Sequence, residues 1–149
     1  MTESRKSRLT SGLFSSTTDL WETPQDLFDE LNAEFHFTLD PCATQENAKC
    51  DWYYSIEQDG LKQDWGGQCV FCNPPYGRLI GAWVRKCYEE SLKPNTKVVM
   101  LIPARTDTSY FHDYIYHHAD LRFIRGRLKF GDAKQGAPFP SMVVIFRGK

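Results

Sequence analysis

The run Lys97-Val-Val-Met-Leu-Ile102 constrains this chain most. From Val98 onward, odd and even positions are both apolar. Because side chains alternate between the faces of a sheet, such a strand must be covered on both sides. The residues just upstream offer one cover: Leu79, Ile80, Trp83, Val84, Cys87 and Tyr88 recur at helical spacing and predict an amphipathic helix over 78–92, closed by Lys93-Pro94-Asn95. A second helix opens at Thr23-Pro24, read as N-cap and first helical residue, with Leu27, Phe28, Leu31 and Phe35 on one face. Short strands are expected at 37–40 and 68–72, a helix at about 107–118, and further strands at 121–124 and 142–146. Strands and helices in alternation predict an α/β sandwich with a mainly parallel sheet.

At 149 residues the chain holds one ordinary domain, and 41% hydrophobic with 25% charged residues fits a folded, soluble one. The N-terminus lacks the apolar stretch of a signal peptide and no apolar run approaches a membrane span, so a cytoplasmic protein without a membrane partner is expected. Five cysteines in such a chain are read as reduced, small packing residues. Residues 1–18, rich in Ser, Thr, Lys and Arg, are expected to form a flexible basic arm, and 19–149 the single domain. The net charge of −1 hides a division: segments 1–18, 19–70, 71–103 and 104–149 carry +2, −10, +3 and +4. Such a molecule suits two ligands of opposite sign.

The chemistry concentrates in Asn73-Pro74-Pro75-Tyr76, between a strand and a helix. Each proline forces the residue before it out of the α region, so Asn73 and Pro74 are held extended and the turn is rigid. The Asn73 side-chain oxygen and the Pro74 carbonyl can then face the crevice at the carboxyl end of the sheet, where open α/β folds bind ligands. Two fixed acceptors suit a planar amine with two hydrogens, and Tyr76 adds a face on which a planar base or amide can stack. The same four residues could serve merely as a strand-ending turn.

Asn-Pro-Pro-Tyr after a strand resembles the signature of S-adenosylmethionine-dependent amino methyltransferases. In order along the chain, Trp21-Glu-Thr-Pro-Gln-Asp-Leu-Phe-Asp-Glu-Leu31, Leu39-Asp-Pro-Cys-Ala43, Asn73-Pro-Pro-Tyr76, Leu101-Ile-Pro-Ala-Arg-Thr-Asp-Thr108, Gly126-Arg-Leu-Lys-Phe130 and Ala137-Pro-Phe-Pro-Ser141 are similar to the phage-type DNA N6-adenine methyltransferase (Dam) family. The resemblance spans about residues 20–147 and implies a compact, truncated Rossmann-like methyltransferase fold without a separate target-recognition domain. It implies catalysis by Asn73, Pro74, Pro75 and Tyr76 and the cofactor S-adenosyl-L-methionine, held by Asp40 with the Pro41, Cys42 and Ala43 turn near its methionine moiety. Trp21, Thr23 and Pro24 correspond to the family's additional cofactor segment. Asp59 stands where related enzymes place an acidic group for the cofactor's adenine amine, although an Asp-Gly turn explains it equally well. Asn47 and Asp51 are candidates for ribose or amino-acid contacts.

The basic half then meets DNA, the expected partner. Arg105, Arg122, Arg125, Arg127 and Lys129 are candidate phosphate contacts, and Phe130 and Phe139 candidate stacking or wedge groups, with Arg105, Arg127 and Lys129 favoured. With one domain only, sequence would be read by loops, the arm or a second subunit, so a homodimer is one expected arrangement. Two other readings share the residues: methylation of RNA or of a protein glutamine amide, and a catalytically idle nucleic-acid-binding module. No metal is expected. Cys69 and Cys72, three apart on a strand, point to opposite faces, and His112, His117 and His118 lack ligand spacing with the cysteines.

Overall fold

The computed structural model describes residues 20–148, so the expected basic arm lies outside the described residues. Helix α1 spans Gln25–Phe35, strand β1 Leu39–Asp40, β2 Trp52–Tyr53, β3 Cys69–Cys72, helix α2 Ile80–Ser91, and strands β4, β5 and β6 Lys97–Pro103, Asp120–Phe123 and Ser141–Phe146. The strands form one sheet in the order β2-β1-β3-β4-β6-β5. From β2 to β4 neighbours run parallel. The sheet as a whole is mixed, which corrects the mainly parallel expectation: β6 enters antiparallel between β4 and β5. Its ladder with β4, from Val98↔Phe146 to Pro103↔Ser141, is the longest in the sheet. The connection over 124–140 is a loop, not a crossover helix, so it returns the chain beside β4 in the opposite sense.

The double coverage read from the β4 sequence is present, and period-2 alternation divides it. Val70, Cys72, Val98, Met100, Ile102, Met142, Val144 and Phe146 face one core, filled by Trp65 and by Trp83, Val84 and Cys87 of α2. Phe71, Val99, Leu101, Val143 and Ile145 face the other, covered by Phe28, Leu31 and Phe35 of α1 and by Phe130, Ala137 and Phe139 of the late loop. Each large side chain so enclosed contributes about 1.5–3 kcal/mol.

Local departures from expectation have local causes. The N-cap of α1 is Pro24, with no side-chain cap; the Thr23 hydroxyl is engaged elsewhere. The expected helix over 107–118 contracts to a π-helical turn, Phe111–Ile115, because only Phe111 and Ile115 are buried and the chain leaves through an extended Tyr116 and a left-handed His117. Strand β2, two residues long, gives too short an alternation to detect. The turn at Asp59-Gly60 follows from a close approach: a Cβ on Gly60 would lie 2.0 Å from the Pro41 carbonyl oxygen. There the Gly60 carbonyl accepts from Trp65 Nε1 at 3.0 Å. Among the described residues, no helix is long and apolar enough to cross a membrane.

Candidate functional site

Strand order reverses between β1 and β3, since the chain leaves β1 toward β2 and returns on its other side. At such a switch point the loops above the carboxyl ends diverge and leave a crevice. Here the crevice is a cavity of about 220 Å³. Of the predicted residues, Trp21, Thr23, Asp40, Cys42, Asn47 and Asn73 line it. Pro24, Pro41, Ala43 and Asp59 are not on its wall. Pro24 begins α1, and the Ala43 N–H donates to the Tyr54 carbonyl at 3.0 Å. Asp59, in the left-handed region at φ 53°, accepts from the Leu61 N–H and so closes its own 3-10 turn, as the turn reading holds.

Glu22, Glu46 and Lys49 also line the cavity; Glu22 lies within the Trp21–Leu31 motif but was not named as a site residue, and Glu46 and Lys49 lie outside every motif. The signal was the −10 segment, which supplies Glu22, Asp40 and Glu46. A second cavity of about 470 Å³ shares Thr44 and Glu46 with the first and continues over Tyr53, Ser55 and Gln58. Asp51 borders neither cavity.

The carboxylate of Asp40 is buried beneath the first cavity. Oδ2 accepts from the Lys49 N–H at 3.0 Å and Oδ1 from the Cys42 N–H at 3.3 Å, so this side chain pins the loop over 42–49. Burial pushes its pKa above the ordinary aspartate value, while those two hydrogen bonds and Lys49 pull it down. Asn47 also shapes the loop, its Oδ1 accepting from the Thr44 N–H at 2.7 Å. A cation entering here would meet Glu22, Asp40 and Glu46 against the single Lys49.

Asn73 is held quite differently. Its Nδ2 donates to the Trp21 carbonyl and, at 2.8 Å, to Thr23 Oγ1. Its Oδ1 is buried without any hydrogen-bond partner. Leaving a buried acceptor unpaired costs roughly 1–3 kcal/mol, so such an atom calls for a ligand or another explanation. The backbone is fixed as well: the Cys42 thiol donates to the Asn73 carbonyl at 3.2 Å and lies 3.8 Å from the Cys72 sulfur. The neighbouring Cys72 thiol and burial push the Cys42 pKa well up, so it stays a neutral donor. All five cysteines are free thiols.

Tyr76 sits in an aromatic cluster. Its hydroxyl donates to the Leu101 carbonyl at 2.8 Å, and burial drives its pKa well above the usual phenol value, so it is not a base at neutral pH. The Trp21 ring lies nearly parallel to it, at 18° with centroids 6.5 Å apart. Phe130 and Phe139 meet both rings edge-on. They are only 5% and 7% exposed. That corrects the wedge reading: these two rings are walls that hold Trp21 and Tyr76, and a wedge must be exposed to enter a base stack.

The basic candidates also separate. Arg122 forms an exposed two-pronged pair with Glu34 at 2.7 Å. Arg105, Arg125, Arg127 and Lys129 are exposed, and among the described residues none of them has an acidic partner within ion-pair distance. Arg105 stands 6.0 Å from the centre of the Phe139 ring. Arg127 donates to the Ala137 carbonyl at 3.3 Å, where the chain folds back so tightly that a Cβ on Gly136 would lie 2.6 Å from the Arg127 Cβ. Arg78, exposed two residues beyond Tyr76, was missed because it lies outside every motif quoted. Among the described residues no group of three or more His, Cys, Asp or Glu could hold a metal ion.

A mixed sheet flanked by helices therefore carries, at its switch point, an acid-lined cavity with Asn73 on its wall and an aromatic cluster around Tyr76. The comparison with known families is specific: the family model for DNA N-6-adenine-methyltransferase (Dam) matches residues 10–148, and the chain belongs to that family. A DNA N-6-adenine-methyltransferase of Haemophilus phage HP1 (strain HP1c1) is 30% identical over 142 residues, 90% of this chain and 82% of that protein. One of Escherichia phage T1 is 34% identical over 112 residues, 74% of this chain. The aligned region is about half (46%) of the T1 protein's length.

Proposed function

We propose that this protein methylates the exocyclic N6 amine of adenine in DNA, with S-adenosylmethionine as methyl donor. The observation that carries the reading is the buried, unpaired Oδ1 of Asn73, a residue that lines the acid-lined cavity. When bound, S-adenosylmethionine supplies an electrophilic methyl group on a positively charged sulfur. Glu22, Asp40 and Glu46 suit that charge, and the adjoining cavity over Tyr53, Ser55 and Gln58 offers polar groups to its nucleoside end.

The chain's own groups then act on the amine. Adenine N6 is a weak nucleophile because its lone pair is delocalised into the ring. Asn73 Oδ1 and the Pro74 carbonyl, accepting its two hydrogens, localise that pair and aim it at the methyl group. The acceptors are fixed before substrate arrives, so alignment demands little reorganisation at the moment of transfer. In a duplex the adenine must leave the stack, and the Tyr76 ring receives its face. Arg78, Arg105, Arg127 and Lys129 hold the phosphates around it.

The test is transfer of labelled methyl from S-adenosylmethionine to DNA, followed by digestion to nucleosides. Label in N6-methyldeoxyadenosine is the expected result. Label confined to RNA, to protein glutamine or to cytosine would overturn the assignment, and calorimetry without affinity for S-adenosylmethionine would favour an idle binding module.

A further inference from the structure

The Thr23 side chain is 5% exposed, and its position suggests the cap of α1. The α1 N-cap is Pro24, without a side-chain cap, and the first-turn N–H of Leu27 is taken by Asp26 Oδ1 and not by Thr23. Its hydroxyl oxygen instead accepts from Asn73 Nδ2 at 2.8 Å, across 50 residues of sequence. The companion bond, from Nδ2 to the Trp21 carbonyl, fixes which end of the amide faces this segment, because a main-chain carbonyl only accepts. With both Nδ2 hydrogens directed at the 21–23 segment, Oδ1 points away from it and remains unpaired.

We propose that Thr23 is a positioning residue of the methyl-transfer reaction: together with the Trp21 carbonyl it locks the Asn73 amide in the orientation that presents Oδ1 to the substrate amine. The segment is anchored for that task on two sides. The Trp21 ring packs edge-on against Phe130 and Phe139, with centroids 5.5 and 5.0 Å away. The Glu22 carbonyl accepts from the Gly131 N–H at 2.9 Å. Because the segment is held in place, rotating the amide breaks both Nδ2 hydrogen bonds and the 21–23 segment cannot follow to restore them. This role differs from the cofactor contact that family resemblance gives Thr23, and it rests on the amine-methylation reading of the site.

The test compares Thr23→Val, which keeps shape and removes the acceptor, with Thr23→Ser, which keeps the acceptor. For Thr23→Val, kcat falls roughly 10- to 100-fold, the effect of a slightly misplaced catalytic group, while Kd for S-adenosylmethionine is unchanged. Thr23→Ser restores kcat to within about threefold of wild type. An unchanged kcat in Thr23→Val, or a loss of cofactor affinity that accounts for the whole effect, overturns the proposal. A readout on the wild-type protein needs neither turnover nor a folded variant: the Asn73 Nδ2 protons, followed by nuclear magnetic resonance, exchange slowly with solvent. Fast exchange there overturns the lock even if the enzyme is active; slow exchange with no methyl transfer to any amine overturns the functional reading alone.

Discussion

Two turns leave neighbouring parallel strands at the same edge of the sheet, one after β1 with Asp40 and one after β3 with Asn73, and their similar side chains are used in opposite ways. Asp40 directs both oxygens at its own loop, accepting from the N–H groups of Cys42 and Lys49. Asn73 directs its donors at the scaffold and leaves its acceptor without a partner. A side chain whose polar atoms are all satisfied by the fold is part of the frame. One held rigidly with a single buried acceptor unsatisfied still has a hydrogen bond to offer to something that arrives later. On the proposed function, the difference separates a residue that shapes the cavity from one that acts on the substrate, although both line the same space.

The largest effect that would break this comparison is at Asn73. Asn73→Ala removes the acceptor, and kcat falls at least about 100-fold, the usual loss when one preorganised hydrogen-bonding group is removed. The Kd for S-adenosylmethionine changes little, whereas the melting temperature falls, because the Nδ2 hydrogen bonds to the Trp21 carbonyl and Thr23 Oγ1 are lost together with the acceptor. Asn73→Asp sharpens the point. It keeps an acceptor toward the substrate but turns a second oxygen toward the Trp21 carbonyl, which cannot donate. The expected cost is on the order of 2 kcal/mol of stability, with activity far below wild type. Urea unfolding and steady-state kinetics on the two variants check both statements, and a fully active, fully stable Asn73→Asp would show that the 21–23 segment does not hold the amide.

Asp40→Asn gives the next effect, with the reverse pattern. An amide can accept from only one of the Cys42 and Lys49 N–H groups and turns a donor toward the other. Stability falls by about 1–3 kcal/mol, the loop over 42–49 loosens, and affinity for S-adenosylmethionine falls roughly tenfold, with kcat at saturation nearly retained. Acidity offers a gentler version. Burial raises the Asp40 pKa in the folded state, so the fold takes up a proton as pH falls through that value, and stability rises rather than falls from this group. A cationic ligand favours the ionised carboxylate, hence binding releases that proton and weakens on acidification. Calorimetry at neutral pH and at about pH 5 should show this loss for wild type and not for Asp40→Asn. An equal loss in the variant would assign the titration to another acid.

The reach of the sequence follows the range of the physics involved. The Asn73–Tyr76 turn was legible because proline constrains its neighbours locally, and the acidic cavity because its residues share one charged segment. Strand direction was not: Met142–Phe146 is as continuously apolar as Val98–Ile102, and both patterns mean burial on two faces whichever way the strand runs. Tertiary partners were equally hidden. Nothing near Arg122 announces Glu34, 88 positions away, and nothing near Thr23 announces Asn73. Phe130 and Phe139 sit in an irregular loop, where periodicity cannot separate a buried ring from an exposed one.

Asp59 yields the smallest expected effect and tests whether the comparison extends to a third carboxylate. It resembles Asp40 in that an oxygen accepts a local backbone N–H, here from Leu61 at 3.2 Å. It differs in standing off the cavity wall and in occupying a left-handed conformation that the neighbouring Gly60, pressed on the Pro41 carbonyl, helps to define. If satisfaction by the fold marks a frame residue, Asp59→Ala should cost about 1 kcal/mol, through the lost cap and the strain of alanine at positive φ. The Kd for S-adenosylmethionine should stay within about twofold of wild type. Asp59→Asn, which caps nearly as well and tolerates that conformation, should be close to neutral in thermal unfolding. A tenfold loss of cofactor affinity in both variants would instead place the Asp59 carboxylate on the ligand. The 58–62 turn would then have to move toward the cavity on binding, and hydrogen bonding in the ligand-free fold would no longer suffice to tell frame from site.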